Sequence, residues 1–116
     1  MRHKKGIKKL SKPTDQRIAL LRSLTIALIK YNKVTTSRAR AKAVRVFIEK
    51  IIALSKKGGL ANLRKALAIV PQKKLITEFF KTSPERFAGH QGGAVRLTNV
   101  GLRRGDASEM VLIELL

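Results

Sequence analysis

The chain contains no cysteine and no tryptophan, a single tyrosine, two histidines and only seven acidic residues in 116. Without cysteine there is no disulfide framework and no thiolate metal site. His3 and His90 lie far apart among Lys, Gly and Gln, so neither has the companion ligands that a metal needs. His3 fits a phosphate or base contact better, and His90 a polar loop position. Aromatic residues make up 4% of the chain, too few for the base-stacking platforms on which single-strand binders rely. Asp15, Glu49, Glu78, Glu85, Asp106, Glu109 and Glu114 are too scattered to suggest the carboxylate cluster of a metal-dependent nuclease. No Walker-type glycine pattern and no nucleophile elbow is present. No catalytic residue, metal site or cofactor is therefore expected. The basic N-terminus is not followed by an apolar segment, because Leu10 leads directly into Ser11-Lys12-Pro13. No secretory signal and no bilayer-spanning run is read, and neither a membrane nor a small-molecule substrate is expected as a partner.

What the chain has in excess is positive charge. Lys and Arg number 26, giving a formal net charge of +19 and a sequence pI near 11.5. Such a protein repels itself and binds polyanions without special design. Its 44% hydrophobic content still provides for one domain with a real core. Residues 1–12 hold Arg2, His3, Lys4, Lys5, Lys8, Lys9 and Lys12 with no acid. This block reads as an extended, phosphate-binding arm. Residues 13–116 read as a single compact domain.

That domain is organised around one stretch. Val34-Thr35-Thr36 is a β-branched run, and Ser37 is a natural helix N-cap. At about 100° per residue, Val44, Phe47, Ile48, Ile51 and Leu54 fall in one arc. Arg38, Lys42, Arg45, Glu49 and Lys56 lie opposite, and Gly58-Gly59 stops the helix. Upstream, Thr14 is expected to cap a helix reaching about Tyr31. That helix is apolar over most of its circumference, which predicts an inner helix packed on both the sheet and a neighbouring helix. Leu60 to Val70 predicts a third helix, and Pro71 to about Lys81 a fourth, ended by Ser83-Pro84. Glu85 to Gly93 reads as loop. Ala94–Leu102 and Met110–Leu116 alternate with period 2 and predict a hairpin around Arg103 to Glu109. The expected fold class is α+β: a small three-stranded mixed sheet packed on one face by about four helices.

The cations Arg38, Lys42 and Arg45, unbalanced except by Glu49, repel one another at three- and four-residue spacing. A polyanion relieves that repulsion, through backbone and shape contacts rather than base readout. Arg86, Arg96, Arg103 and Arg104 extend the basic surface, and Gly92-Gly93 reads either as a phosphate-approach loop or as a plain turn. Arg104-Gly105-Asp106 spells a cell-adhesion tripeptide by coincidence.

Several of these residues also form a family pattern. They include Met1-Arg2-His3 with the basic run to Leu10, Arg17 before a Leu-rich helix, Thr35-Thr36, and Ala41-Lys42 with Arg45, Glu49 and Ile51-Ile52. At the C-terminal end stand Arg86-Phe87, Gly92-Gly93, Arg96, Arg103-Arg104-Gly105-Asp106, Met110 and Ile113-Glu114-Leu115. In this order the chain resembles the bacterial large-subunit ribosomal proteins of the L-seventeen family. The resemblance implies a structural, non-enzymatic constituent of the large ribosomal subunit in a bacterial cytoplasm or an organelle. It implies binding to ribosomal RNA near the polypeptide exit tunnel, beside neighbouring large-subunit proteins. Arg17 and Arg22 join the arm, the central helix and the hairpin arginines as candidate RNA contacts. A nucleoid-type DNA-binding protein is the competing expectation, since it shares the charge and the lack of catalytic groups.

Overall fold

A computed structural model describes residues 13–89 and 93–116. The expected arm at 1–12, His90 and Gly92 lie outside the described residues. The element order is α1 (Thr14–Tyr31), β1 (Lys33–Ser37), α2 (Arg38–Lys57), α3 (Leu60–Ile69), α4 (Lys73–Arg86), β2 (Val95–Leu102) and β3 (Glu109–Leu115). The architecture is the expected α+β.

β3 is the central strand, in the order β1-β3-β2. Both of its pairings are antiparallel, running from Lys33 opposite Glu114 to Ser37 opposite Met110, and from Val95 opposite Leu115 to Leu102 opposite Glu109. The sheet is thus antiparallel throughout, not mixed. Three helices and β2 lie between β1 and β3 in the chain, and that long connection leaves their relative direction open to either choice. Val111, Ile113 and Leu115 alternate into the core with Thr36 and Val95, while Met110, Leu112 and Glu114 turn to the other face. Period 2 on a sheet covered from one side produces this pattern.

The deepest helix is α2, not α1. Ala41, Ala43, Val44, Ile48, Ile51, Ile52 and Ser55 are all buried on it. On α1 only Leu21, Thr25 and Leu28 are, and Tyr31 is 63% exposed. The remaining α1 apolar side chains, such as Ile18, Leu20, Leu24 and Ile29, are half-buried. As expected, α1 packs on both the sheet, at β1 and β3, and neighbouring helices, α2 and α4, but α2 touches all three strands and every other helix and so lies deeper. Burying α2 brings Ser55 inside, where its hydroxyl donates to the Ile52 carbonyl at 2.7 Å and lies 2.8 Å from the Ser83 hydroxyl of α4. Polar atoms enter a core at low cost only when paired in this way.

The helix ends differ from the sequence reading in three places. Ser37 is the N-cap of α2 and closes β1 opposite Met110, but its side chain makes no capping bond. Thr14 is the first helical residue and Pro13 takes the cap position, its carbonyl accepting from the Arg17 amide at 2.9 Å. α4 starts at Lys73 and runs through Pro84 to Arg86. A proline this close to a helix end removes only one late hydrogen bond. The fully buried Phe87, whose amide donates to Ser83 at 2.9 Å, holds the last turn in place. The Gly58-Gly59 stop is as expected. Gly58 has φ 66° with ψ −169°, a region open essentially to glycine alone.

The position of α2 yields a stability test. Ile48→Ala should cost about 2–5 kcal/mol, as large-to-small core changes do. Tyr31→Ala should stay within about 0.5 kcal/mol. Urea titration of both variants measures the difference, and equal losses would contradict a core centred on α2.

Candidate nucleic-acid interface

The half of α2 that does not enter the core carries Arg38, Lys42, Arg45, Lys50 and Lys57, all exposed, together with Arg40 in its first turn. Glu49 is the single acid on this helix. It is held by Arg45 at 3.2 Å (Nε to Oε1). Arg38 reaches Glu109 at 3.0 Å across the sheet end. Lys42 and Lys50 have no acidic partner among the described residues. They flank the exposed Val46 at four-residue spacing, so their ammonium groups share one stripe.

The other candidate cations divide into two groups. Arg22 is committed to backbone, and Arg86 to backbone and to the Asn32 side chain. The Arg22 guanidinium donates to the Ile69 carbonyl at 2.8 Å and the Ala68 carbonyl at 3.3 Å, closing the C-terminal end of α3. A cation there also complements the helix dipole. Arg86 donates to Asn32 Oδ1 at 2.8 Å, Leu116 O at 3.2 Å and Leu115 O at 3.3 Å. It ties the end of β3 to the turn between α1 and β1. Asn32 forms that turn in the left-handed conformation (φ 66°), and its carbonyl accepts from the Leu115 amide at 2.9 Å.

Arg96 and Arg103 lie on the surface but face carboxylates, Arg96 with Glu114 at 3.5 Å and Arg103 Nε with Asp106 Oδ1 at 3.2 Å. Exposed pairs of this kind contribute little to stability, because water screens them. Arg17, half-buried in the first turn of α1, and the exposed Arg104 have no acidic partner among the described residues. Arg2, His3, Lys4, Lys5, Lys8, Lys9 and Lys12 lie outside the described residues, as does Gly92.

The hairpin loop is internally braced. The bond from Arg103, then the amide and side-chain hydroxyl of Ser108, hold the Asp106 carboxyl well below the usual carboxylate range. The same bond raises the Arg103 guanidinium. The Arg104-Gly105-Asp106 tripeptide is part of this brace.

Sequence reasoning passed over Arg40, Lys50, Lys57, Lys73, Lys74 and Lys81 as contacts, and all are exposed on the helical layer. The signal that could have found them is the spacing of Lys42 and Lys50 around Val46, together with the Lys73-Lys74 pair that opens α4. Among the described residues no group of three His, Cys, Asp or Glu could hold a metal ion. No helix among them is long and apolar enough to cross a membrane.

A helical layer studded with cations, braced on an antiparallel sheet, defines a basic α+β protein built to present positive charge. The family follows from comparison: the model described as Ribosomal protein L17 matches residues 20–116. The chain belongs to that family, and is a structural protein of the large ribosomal subunit. It takes part in translation as one component of a ribonucleoprotein.

The Arg103–Asp106 pair has a definite pH signature. Its folded-state carboxyl pKa is depressed, so any stability from the pair is present above the ordinary carboxylate range and lost as pH falls through the folded value. Carbon-13 NMR of the side-chain carboxyls should find Asp106 still ionised well below the ordinary carboxylate range, and Arg103→Gln should return it toward that range. Separately, Arg86→Ala should destabilise the fold by about 1.5–3 kcal/mol, since it removes charged hydrogen bonds. Thermal unfolding checks this, and a variant as stable as the parent would rule out the clasp.

Proposed function

We propose that the chain binds ribosomal RNA through backbone and shape contacts, in a cytoplasmic ribosome and near the polypeptide exit tunnel. The observation that carries the RNA reading is the α2 stripe, where Lys42 and Lys50 stand without acidic partners beside Arg38 and Arg45. Like charges four residues apart destabilise a helix by about 0.2–0.5 kcal/mol per pair. Phosphates remove that cost and release counterions on binding. Arg17 and the arm residues of 1–12 supply further phosphate contacts. Arg38, Arg45 and Arg96 contribute by exchanging a surface carboxylate for a phosphate. The exit-tunnel placement and the bacterial or organellar setting rest on the family resemblance. Proximity to neighbouring large-subunit proteins rests on it as well.

The test is the salt dependence of binding to protein-free large-subunit RNA. Lys42→Gln with Lys50→Gln should reduce the slope of log affinity against log salt by about 2, one for each phosphate no longer neutralised. Removing residues 1–12 should leave residues 13–116 folded while weakening binding and flattening the slope further. An unchanged slope in the double variant would remove α2 from the interface. Preference for duplex DNA over the RNA would favour a nucleoid-type role instead.

A further inference from the structure

Residues 93–116 break the charge pattern of the chain. They hold Arg96, Arg103 and Arg104 against Asp106, Glu109 and Glu114, while residues 1–92 hold the other 23 Lys and Arg against four acids. Each of the three carboxylates is already engaged, with Arg103, Arg38 and Arg96 respectively. On the hairpin, only Arg104 lacks an acidic partner among the described residues. An RNA phosphate approaching here meets three carboxylates and must open an ion pair for nearly every contact it makes.

The same element carries exposed apolar surface. Val100 and Leu102 are 52% and 67% exposed. Val100 is the extra residue between Asn99, opposite Val111, and Gly101, opposite Met110. This bulge lies where β2 runs beyond the core, and bulges commonly re-aim side chains at functional edges. Next to it is a hollow of about 200 Å³, lined by Asn99, Gly101, Leu102, Glu109 and Met110. Leu102 pairs with Glu109, and so shares the side of the sheet on which Arg38 reaches that carboxylate. A neutral rim of closed ion pairs around a shallow hollow that sets Leu102 and Met110 beside Asn99 and Glu109 fits the way proteins recognise proteins, with an apolar anchor among satisfied polar groups. Phosphate gains nothing from it.

We propose that the far half of the β2–β3 hairpin, residues 99–110, docks a second protein of the large subunit and not RNA. The partner presents an apolar side chain to the hollow beside Leu102, from a surface of low net charge. This rests on the reading of the chain as an RNA-bound component of the particle, and divides its surface in two. A second copy of this chain is a poor occupant, since each copy carries +19 and repels the other.

The experiment places a photoreactive benzoylphenylalanine at Leu102 or, in a separate chain, at Lys50, and irradiates intact large subunits containing the full-length protein. The Leu102 probe should yield an adduct with one other protein chain, and the Lys50 probe an adduct with RNA. An adduct from Leu102 to RNA alone, to a second copy, or to nothing overturns the proposal. If Leu102 captures a protein while Lys50 captures no RNA, the docking surface stands and the RNA face on α2 fails. Absence of the chain from the particles overturns both. A Val100→Asp, Leu102→Asp variant gives an independent reading. It should lose on the order of tenfold or more in competition with the parent for incorporation into particles, as removal of one interface anchor does. Its affinity for protein-free large-subunit RNA should stay within about twofold. A matching loss of RNA affinity overturns the assignment.

Discussion

Burial of one side of α2 is the constraint on which the rest of the molecule depends. Ile48 and Ile51 are fully buried, Val44 and Ile52 nearly so, and they meet Leu28 of α1, Ala66 of α3, Ile76 of α4 and Ile113 of the sheet in one cluster. Burying a side chain of this size is worth about 1.5–3 kcal/mol. No other element touches all of its neighbours in this way. Because a helix has only two sides, fixing the inner one also fixes the outer one. The phase that sends Val44, Ile48 and Ser55 inward sends Lys42, Val46 and Lys50 outward. The binding stripe is therefore positioned by the core.

A chain carrying +19 must also close its periphery without adding repulsion. It does so by giving two arginines chiefly to backbone oxygens. Arg86 meets Asn32 and the last carbonyls of the chain, and Arg22 the final turn of α3. Each guanidinium satisfies acceptors that a helix or strand end leaves over, using its planar set of donors. Lysine could not serve either position as well, because a single ammonium cannot span two or three separated oxygens. Total cation count thus overstates the charge available to a partner. Arg22 and Arg86 are indistinguishable in sequence from Arg17 and Arg104, yet they are joints.

Much of the fold was legible in the sequence because it depends on local pattern. Period 3.6 located α2, the Gly58-Gly59 pair ended it, and alternation in Val111, Ile113 and Leu115 gave the core side of β3. The rest depends on contacts that no local pattern encodes. Strand direction is set by how three helices and β2 carry the chain from β1 to β3. α4 runs past Pro84 because Phe87 has a pocket to fill. α1 packs on the sheet and on two helices as its composition suggests, but α2 takes the deeper position, which leaves several α1 apolar side chains half-buried. Of the candidate site, the α2 cations were readable from the helical phase. The partners of Arg38, Arg96 and Arg86 were not, since 71, 18 and up to 54 residues separate them from the groups they bind.

The surface divides by charge, and the topology explains why it can. The strong excess of cations falls in the arm and the helical stretch, while residues 93–116 balance three arginines with three acids. β3 is the central strand, so the neutral segment is the one on which the others are laid. A cationic central strand would place like charges directly opposite one another across both ladders, where they destabilise. Instead, Glu114 stands opposite Lys33 on one side and Arg96 on the other, and bridges the latter at 3.5 Å. The acids of the hairpin first serve to keep a highly basic chain's sheet together. A sheet balanced in this way loses its attraction for phosphate, and past the bulge at Val100 it keeps exposed apolar side chains that no helix covers.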